Sequence, residues 1–138
     1  MRIPSPAQLQ KLKAAAKAAA GQAYAPYSKF RVGAAILTGT GKIHAGCNVE
    51  NASYGLSNCA ERTAIFSAVA AGGPKLQIKC VVVYTPTQTA TAPCGACRQV
   101  INEFGPAARV ISICDGPAHL DVSSDALLPG AFGPQDLT

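Results

Sequence analysis

Cys94-Gly95-Ala96-Cys97 puts two thiols on one side of a first helical turn, where free N–H groups and the helix dipole favour thiolates. A C-x-x-C pair alone fits a thioredoxin-like redox couple as well as a metal site. Zinc takes four tetrahedral positions and a catalytic site keeps one for water, so the metal reading needs a third protein ligand elsewhere in the chain. Cys59 is the candidate, because it opens the preceding helical segment as Cys94 opens its own. Helix starts that follow strands of one sheet gather along one edge, which would bring these thiols together. Glu61, two residues further on, could exchange protons with a metal-activated water without itself being a ligand. Three thiolates around Zn²⁺ leave a net negative centre, and Arg62 and Arg98, each beside a ligand, are the candidates to compensate it.

Each residue also has a plainer reading. Asn58-x-x-Glu61 resembles a capping box, Cys59 could be a small buried apolar residue, and the C-x-x-C could be a redox pair. These readings lose ground only when the three segments are taken together with Pro93. Cys47, Cys80 and Cys114 lie within apolar strand patterns and read as core, while His44 and His119 lack metal-ligand spacing and read as surface or turn residues.

The elements that must position this set follow from periodicity and punctuation. Ser5 as N-cap and Pro6 at the first helical position open a helix expected from Pro6 to about Tyr24, with Leu9, Leu12, Ala16, Ala19 and Ala23 at helical spacing. Phe30 to Leu37 and Lys42 to Val49 read as a β-hairpin around Thr38-Gly39-Thr40-Gly41. A second helix is expected from near Asn58 to Gly72-Gly73-Pro74, followed by a buried strand, Cys80 to Tyr84. A third helix spans about Cys94 to Phe104, then a strand from Arg109 to Ile113. Beyond Asp115-Gly116 a short segment leads to a small capped helix over Ser123 to Leu128, and Pro129 to Thr138 reads as an irregular tail. This alternation implies an α/β fold covered by helices on both faces.

At 138 residues the chain has the size of one domain, expected over 1–138, that buries roughly two-thirds of its unfolded surface. Apolar residues reach 49% but never run for the ~18 positions a membrane helix needs, so no membrane partner is expected. Met1 to Pro6 carries no apolar export region, so the expectation is cytoplasmic residence, and six cysteines there are thiols rather than disulfides. The net charge of +5 is not gathered into a basic run with interleaved aromatics, and Lys11, Lys13 and Lys17 read as the solvated face of the first helix. Nucleic acid is therefore not the expected partner.

Cys59-Ala60-Glu61 followed by Pro93-Cys94-x-x-Cys97 matches the arrangement of zinc deaminases, in its three-cysteine form. Five blocks then resemble, in order and over nearly the whole chain, the small homotetrameric cytidine deaminases of pyrimidine salvage. They are Tyr27-Ser28-x-Phe30-x-Val32-Gly33-Ala34-Ala35, Gly46-Cys47-Asn48-Val49-Glu50-Asn51-Ala52, Cys59-Ala60-Glu61-Arg62-Thr63-Ala64, Pro93-Cys94-Gly95-Ala96-Cys97-Arg98-Gln99 and Leu127-Leu128-Pro129-x-x-Phe132-Gly133. The resemblance implies a three-layer α/β/α fold with a mixed sheet of about five strands. It also implies one Zn²⁺ per subunit and hydrolysis of cytidine and deoxycytidine to uridine and deoxyuridine. By the same resemblance Asn48 and Glu50 would hydrogen-bond the ribose, Phe30 would pack on the pyrimidine and the Ala60 backbone would meet the base edge. Tyr54 and Phe132 would reach active sites of neighbouring subunits. Apart from the family, Asn48 and Glu50 read as a polar strand end and turn. Arg31 and Asn58 depart from the family's pattern and receive no role. A related aminopyrimidine nucleoside or an RNA cytosine as substrate, or a structural zinc or redox module, are the competing readings.

Overall fold

The computed structural model describes residues 3–137. Helix α1 (Pro6–Ala20) opens with a complete capping box: Ser5 Oγ accepts from the Gln8 N–H at 3.1 Å, and the Ser5 N–H donates to Gln8 Oε1 at 2.9 Å. It ends before the expected Tyr24, because Tyr24 has a better use for its backbone. The Tyr24 N–H donates to the Asn48 carbonyl at 3.0 Å, and its carbonyl accepts from the Glu50 N–H at 2.8 Å.

Strands β1 (Gly33–Thr38) and β2 (Ile43–Cys47) form the expected hairpin, with Gly33 opposite Cys47 and Leu37 opposite Ile43. Both strands are shorter than their apolar pattern, because residues 30–32 and 48–49 leave the ladder: the Asn48 side chain ties Phe30 and Val32, and Val49 pairs its backbone with Asn58. Helix α2 (Ala60–Gly72), strand β3 (Ile78–Tyr84), helix α3 (Gly95–Phe104) and strand β4 (Arg109–Ile113) follow. Strand β5 (Leu120–Ser123) and the short helix α4 (Ser124–Leu127) come next, and one-turn 3₁₀ segments occupy Tyr54–Leu56 and Pro134–Leu137. The latter gives local order to a tail expected to be irregular over Pro129 to Thr138. Thr138, like Met1 and Arg2 of the segment read for an export signal, lies outside the described residues.

The sheet order is β2-β1-β3-β4-β5, with β3 and β4 parallel and the other pairs antiparallel. Sequence patterning did not separate β5 from the connection after Gly116. Its four residues are at most half-buried, so no apolar alternation announced it, and it is defined by pairing with β4 and by the Arg109–Asp121 ion pair across the two strands. Successive residues of the inner strands serve opposite faces. Ala35, Leu37, Cys80, Val82 and Ile111 pack against Leu12 and Ala16 of α1. Ala34, Ile36, Val81 and Val83 pack with Ala60, Ala64, Ile65, Ala68 and Ile101 of α2 and α3. These are the three layers the resemblance implied. Cys80 and Cys114 are buried as expected, and Cys47 is half-buried. Burial pushes the Cys80 thiol up to about 12, which makes it an inert core residue.

Two glycines set the spacing of the layers. A Cβ on Gly33 would lie 1.8 Å from the Ala16 carbonyl oxygen of α1, and one on Gly46 would lie 2.4 Å from the Ala64 nitrogen and 2.9 Å from the Ala60 oxygen of α2. Both obstacles are backbone, which cannot move aside as a side chain does. Gly46 thus lets the first turns of α2 rest directly on β2. Gly46→Ala is expected to destabilise the fold by about 2–3 kcal/mol through overpacking, read from urea unfolding; a midpoint equal to that of the parent would contradict this close approach.

Candidate active site

Cys59 and Cys94 are the N-cap residues of α2 and α3, both in extended backbone, and neither thiol is used as a helix cap. Cys97 lies buried in the first turn of α3. The three sulfurs all lie within 4.8 Å of one another, and Cys59 Sγ is 3.7 Å from Cys94 Sγ. A tetrahedral zinc with Zn–S bonds near 2.3 Å separates its sulfurs by about 3.8 Å. Spacing and donor type therefore fit zinc. The set uses three protein ligands, as an open catalytic site does. Two helix N-termini converge here, and their free N–H groups favour anions.

Proton affinities within the cluster express the same design. The Cys59 thiol is lowered to about 5, chiefly by the hydrogen bond it receives from Cys97 and also by the Arg62 guanidinium. Cys97 is pushed up, because its proton is held by Cys59 and because it is buried. A proton and a guanidinium thus stabilise the charge that a metal cation would neutralise more completely. Arg62 Nη2 donates to Cys59 Sγ at 3.2 Å. Arg98, the other candidate for charge compensation, makes its hydrogen bonds elsewhere: Nε donates to the Pro93 carbonyl at 2.7 Å and Nη1 to the Leu127 carbonyl at 3.1 Å. It braces the approach to Cys94 and the end of α4, and Arg62 is the cation on a sulfur.

Glu61 stands in the first turn of α2 and is 4% exposed. The capping box that could have explained it does not form. Asn58 exchanges backbone hydrogen bonds with Val49, its side chain donates to Thr63 Oγ1 at 3.2 Å, and the helix starts two residues later than expected. Burial raises the Glu61 carboxyl above its ordinary value, and the Cys59 charge raises it further. A carboxyl so placed holds a proton more readily than an exposed one.

A cavity of about 350 Å³ opens beside the cluster. Cys59, Ala60, Glu61 and Cys94 line it together with Phe30, Asn48 and Glu50. Asn48 accepts from the Val32 N–H and donates to the Phe30 carbonyl, both at 2.8 Å. Glu50 accepts from the N–H groups of Tyr27 and Ser28 at 3.0 and 3.1 Å and from the Ser28 hydroxyl. The Ser28 hydroxyl holds the Glu50 carboxyl below its usual value. Two side chains from the end of β2 thus secure the 27–32 loop, which carries Phe30 to the cavity wall. Each keeps spare hydrogen-bonding capacity, since an amide has a second N–H and a carboxylate further lone pairs.

Tyr54, 74% exposed, stacks at a tilt on Tyr27 with ring centroids 5.9 Å apart, and Phe132 is 59% exposed. Neither lines this cavity. Arg31 Nη1 donates to the Gly21 carbonyl at 3.2 Å, away from the site. Sequence reasoning missed Ser28, Val32, Ser57, Val83, Thr85, Thr91 and Ala92 as lining residues, and Asn58, given no role, lines the cavity too. Thr91 and Ala92 immediately precede Pro93-Cys94, and that adjacency was the available signal.

Comparison with known proteins places this geometry. The family model described as the cytidine and deoxycytidylate deaminase zinc-binding region matches residues 6–114. A cytidine deaminase of Sporosarcina psychrophila is 46% identical over 131 residues, covering 94% of this chain and 95% of that protein. One of Halalkalibacterium halodurans is 44% identical over 116 residues, covering 83% and 86%. The crystal structure of cytidine deaminase from Burkholderia pseudomallei superposes with a TM-score of 0.83 at 53% identity, covering 89% of this chain and 98% of that one. That of Mycobacterium tuberculosis gives 0.77 at 38% identity, covering 91% and 97%. With the three-cysteine cluster, the buried carboxyl and the three-layer fold all in agreement, the chain belongs to the cytidine and deoxycytidylate deaminase zinc-binding family.

Proposed function

We propose that this chain hydrolyses cytidine and 2′-deoxycytidine to uridine and 2′-deoxyuridine, releasing ammonia, as a step of pyrimidine salvage in the cytoplasm, with residues 1–138 acting as one catalytic domain. The observation that carries this reading is the buried Glu61 carboxyl, set at the start of α2 beside Cys59 of the three-cysteine cluster and lining one cavity with Cys59 and Cys94. Cys59, Cys94 and Cys97 would hold one Zn²⁺, which when bound lowers the pKa of water so that a nucleophile is available at neutral pH. Glu61 accepts the proton of the attacking water and passes it to ring N3, so that a C4–O bond forms as the ring double bond is lost. In a second transfer Glu61 takes the proton of the new C4 hydroxyl and gives it to the amino group, and the C4–N bond breaks as the C4–O bond becomes a carbonyl, so that ammonia leaves and uridine remains. Burial of Glu61 supports this role, because the carboxyl must be acid and base in turn.

Phe30 presents an aromatic face to the base, the Ala60 backbone meets the base edge, and the spare capacities of Asn48 and Glu50 take the ribose hydroxyls. Arg62 offsets the thiolate charge. Tyr54 and Phe132 act on neighbouring subunits of a homotetramer. Support for that assembly is the number of large apolar side chains left exposed, including Tyr27, Tyr54, Leu56, Phe66 and Phe132. Thiol ligands and free cysteines suit a reducing compartment.

Glu61→Gln is expected to retain zinc while kcat for ammonia and uridine release falls by about 10³–10⁴, since the proton carrier is lost but no ligand is. Near-parental turnover in that variant, with zinc content recorded alongside, would remove Glu61 from the mechanism. Cys59→Ala should lose stoichiometric zinc and melt earlier than the parent, because metal joining separate segments contributes to folding; tight zinc retention would exclude Cys59 as a ligand. Light scattering on the eluting protein should give a mass about four times that of one chain, and Phe132→Ala should raise KM or lower kcat with Cys59, Cys94 and Cys97 still loaded. A fully active monomer would contradict shared sites.

A further inference from the structure

A second hollow, of about 420 Å³, lies on the α1 face of the sheet, opposite α2 and α3 and the cysteine cluster. Its size falls within the range of small-ligand pockets. Leu9 of α1 and Ile111 and Ile113 of β4 supply an apolar floor. Around it stand Lys13 and Lys17, one turn apart on α1, and His119 from the loop before β5. Lys13 and Lys17 form no ion pair among the described residues, and the sole ion pair there is Arg109 with Asp121. That pair matters, because Asp121 is the one acid lining the hollow. It is taken up by Arg109 in a two-point contact, Nε to Oδ1 at 2.8 Å and Nη2 to Oδ2 at 2.5 Å. Asp115, nearby in sequence but not in the lining, accepts the Tyr84 hydroxyl at 2.5 Å. Lys13 and His119 also act on Asp121 through space, yet this one carboxylate stands against Lys13, Lys17 and Arg109, so the lining keeps an excess of positive charge.

The far wall is fixed rather than loose. Cys114 Sγ donates to the Ala118 carbonyl at 3.2 Å, the Asp115 N–H donates to the Thr87 carbonyl at 2.8 Å, and Gly116 packs so closely on Gln88 that a Cβ would lie 2.4 Å from its carbonyl oxygen. The N–H groups of Gly116 and Ala118, both lining residues, donate to no acceptor among the described residues. Lys17 is held at the rim with its ammonium 5.7 Å from the Tyr84 ring centroid.

We propose that this hollow binds a nucleoside monophosphate, its phosphate on Lys13, Lys17 and His119 and its flat base on the half-buried Leu9 and Ile113, with Ile111 buried beneath them. Clustered ammonium groups and free N–H donors recognise a phosphate dianion, and the apolar floor asks for more than phosphate. The site is independent of the deaminase reading, so its test does not depend on activity. Adenosine 5′-monophosphate is the probe, because it carries no cytosine.

Calorimetric titration of the zinc-loaded protein at low salt should give a Kd below about 1 mM for this nucleotide, with inorganic phosphate and ribose 5-phosphate at least about ten-fold weaker. The double variant Lys13→Ala, Lys17→Ala should weaken the nucleotide about ten-fold or more and leave the rate of ammonia release from cytidine unchanged. Amide NMR signals of Gly116, Ala118 and His119 should shift on titration, which locates the site in the parent protein whatever the variant does. Equal affinity for inorganic phosphate would reduce the hollow to a plain anion site and overturn the proposal. So would no heat up to about 10 mM nucleotide, unaltered binding by the double variant, or shifts confined to the Phe30 cavity.

Discussion

Three sulfurs within 4.8 Å of one another are a set of metal ligands whose negative charge, when they bind a cation, a protein interior resists, and the arrangement around them makes that charge tolerable. Two helices deliver the sulfurs by their N-termini, where the backbone carries free N–H groups and the positive end of each dipole. Arg62, the third residue of α2, reaches back to Cys59. For those N-termini to meet, α2 must lie flat on β2 and α3 must start directly from the loop after β3. The absence of a side chain at Gly46 permits the first contact, and the grip of Arg98 on Pro93 and Leu127 steadies the second.

The same end of β2 has two tasks. Asn48 and Glu50 bind backbone groups of the 27–32 loop and also face the cavity beside the cluster. Substitution at either position therefore acts on the placement of Phe30 as well as on anything bound in the cavity. Loss of binding by such a variant does not by itself identify a direct contact with ligand.

The sheet keeps its two faces distinct in chemistry. Alternation along β1 and β3 sends Ala34, Ile36, Val81 and Val83 toward α2 and α3, and Ala35, Leu37, Cys80 and Val82 toward α1. Charge on the α1 face, gathered at Lys13, Lys17 and Arg109, is separated from the cysteine cluster by the full thickness of that packed layer. The two hollows thus differ in lining, in charge and in the elements that build them.

The sequence by itself determined which residues could do chemistry and in which elements they sit. Cys59, Glu61, Cys94 and Cys97 were legible because zinc restricts donor type and because Pro93, the C-x-x-C spacing and the helix-start patterns are local features. The hairpin, β4, the start of α1 and the end of α2 were legible for the same reason, since caps, turns and alternation act over a few residues. Tertiary structure decided whatever depended on competition for a partner. Tyr24 left its helix to pair with Asn48 and Glu50, Asn58 paired with Val49 instead of capping, and β5 existed only because β4 offered an edge. Likewise both arginines were read from position as partners of the thiolates, and three-dimensional reach gave Arg62 a sulfur and Arg98 two carbonyls. Hydrogen-bonding groups satisfy themselves with the nearest partner in space, and the order of residues along a chain does not specify that neighbour.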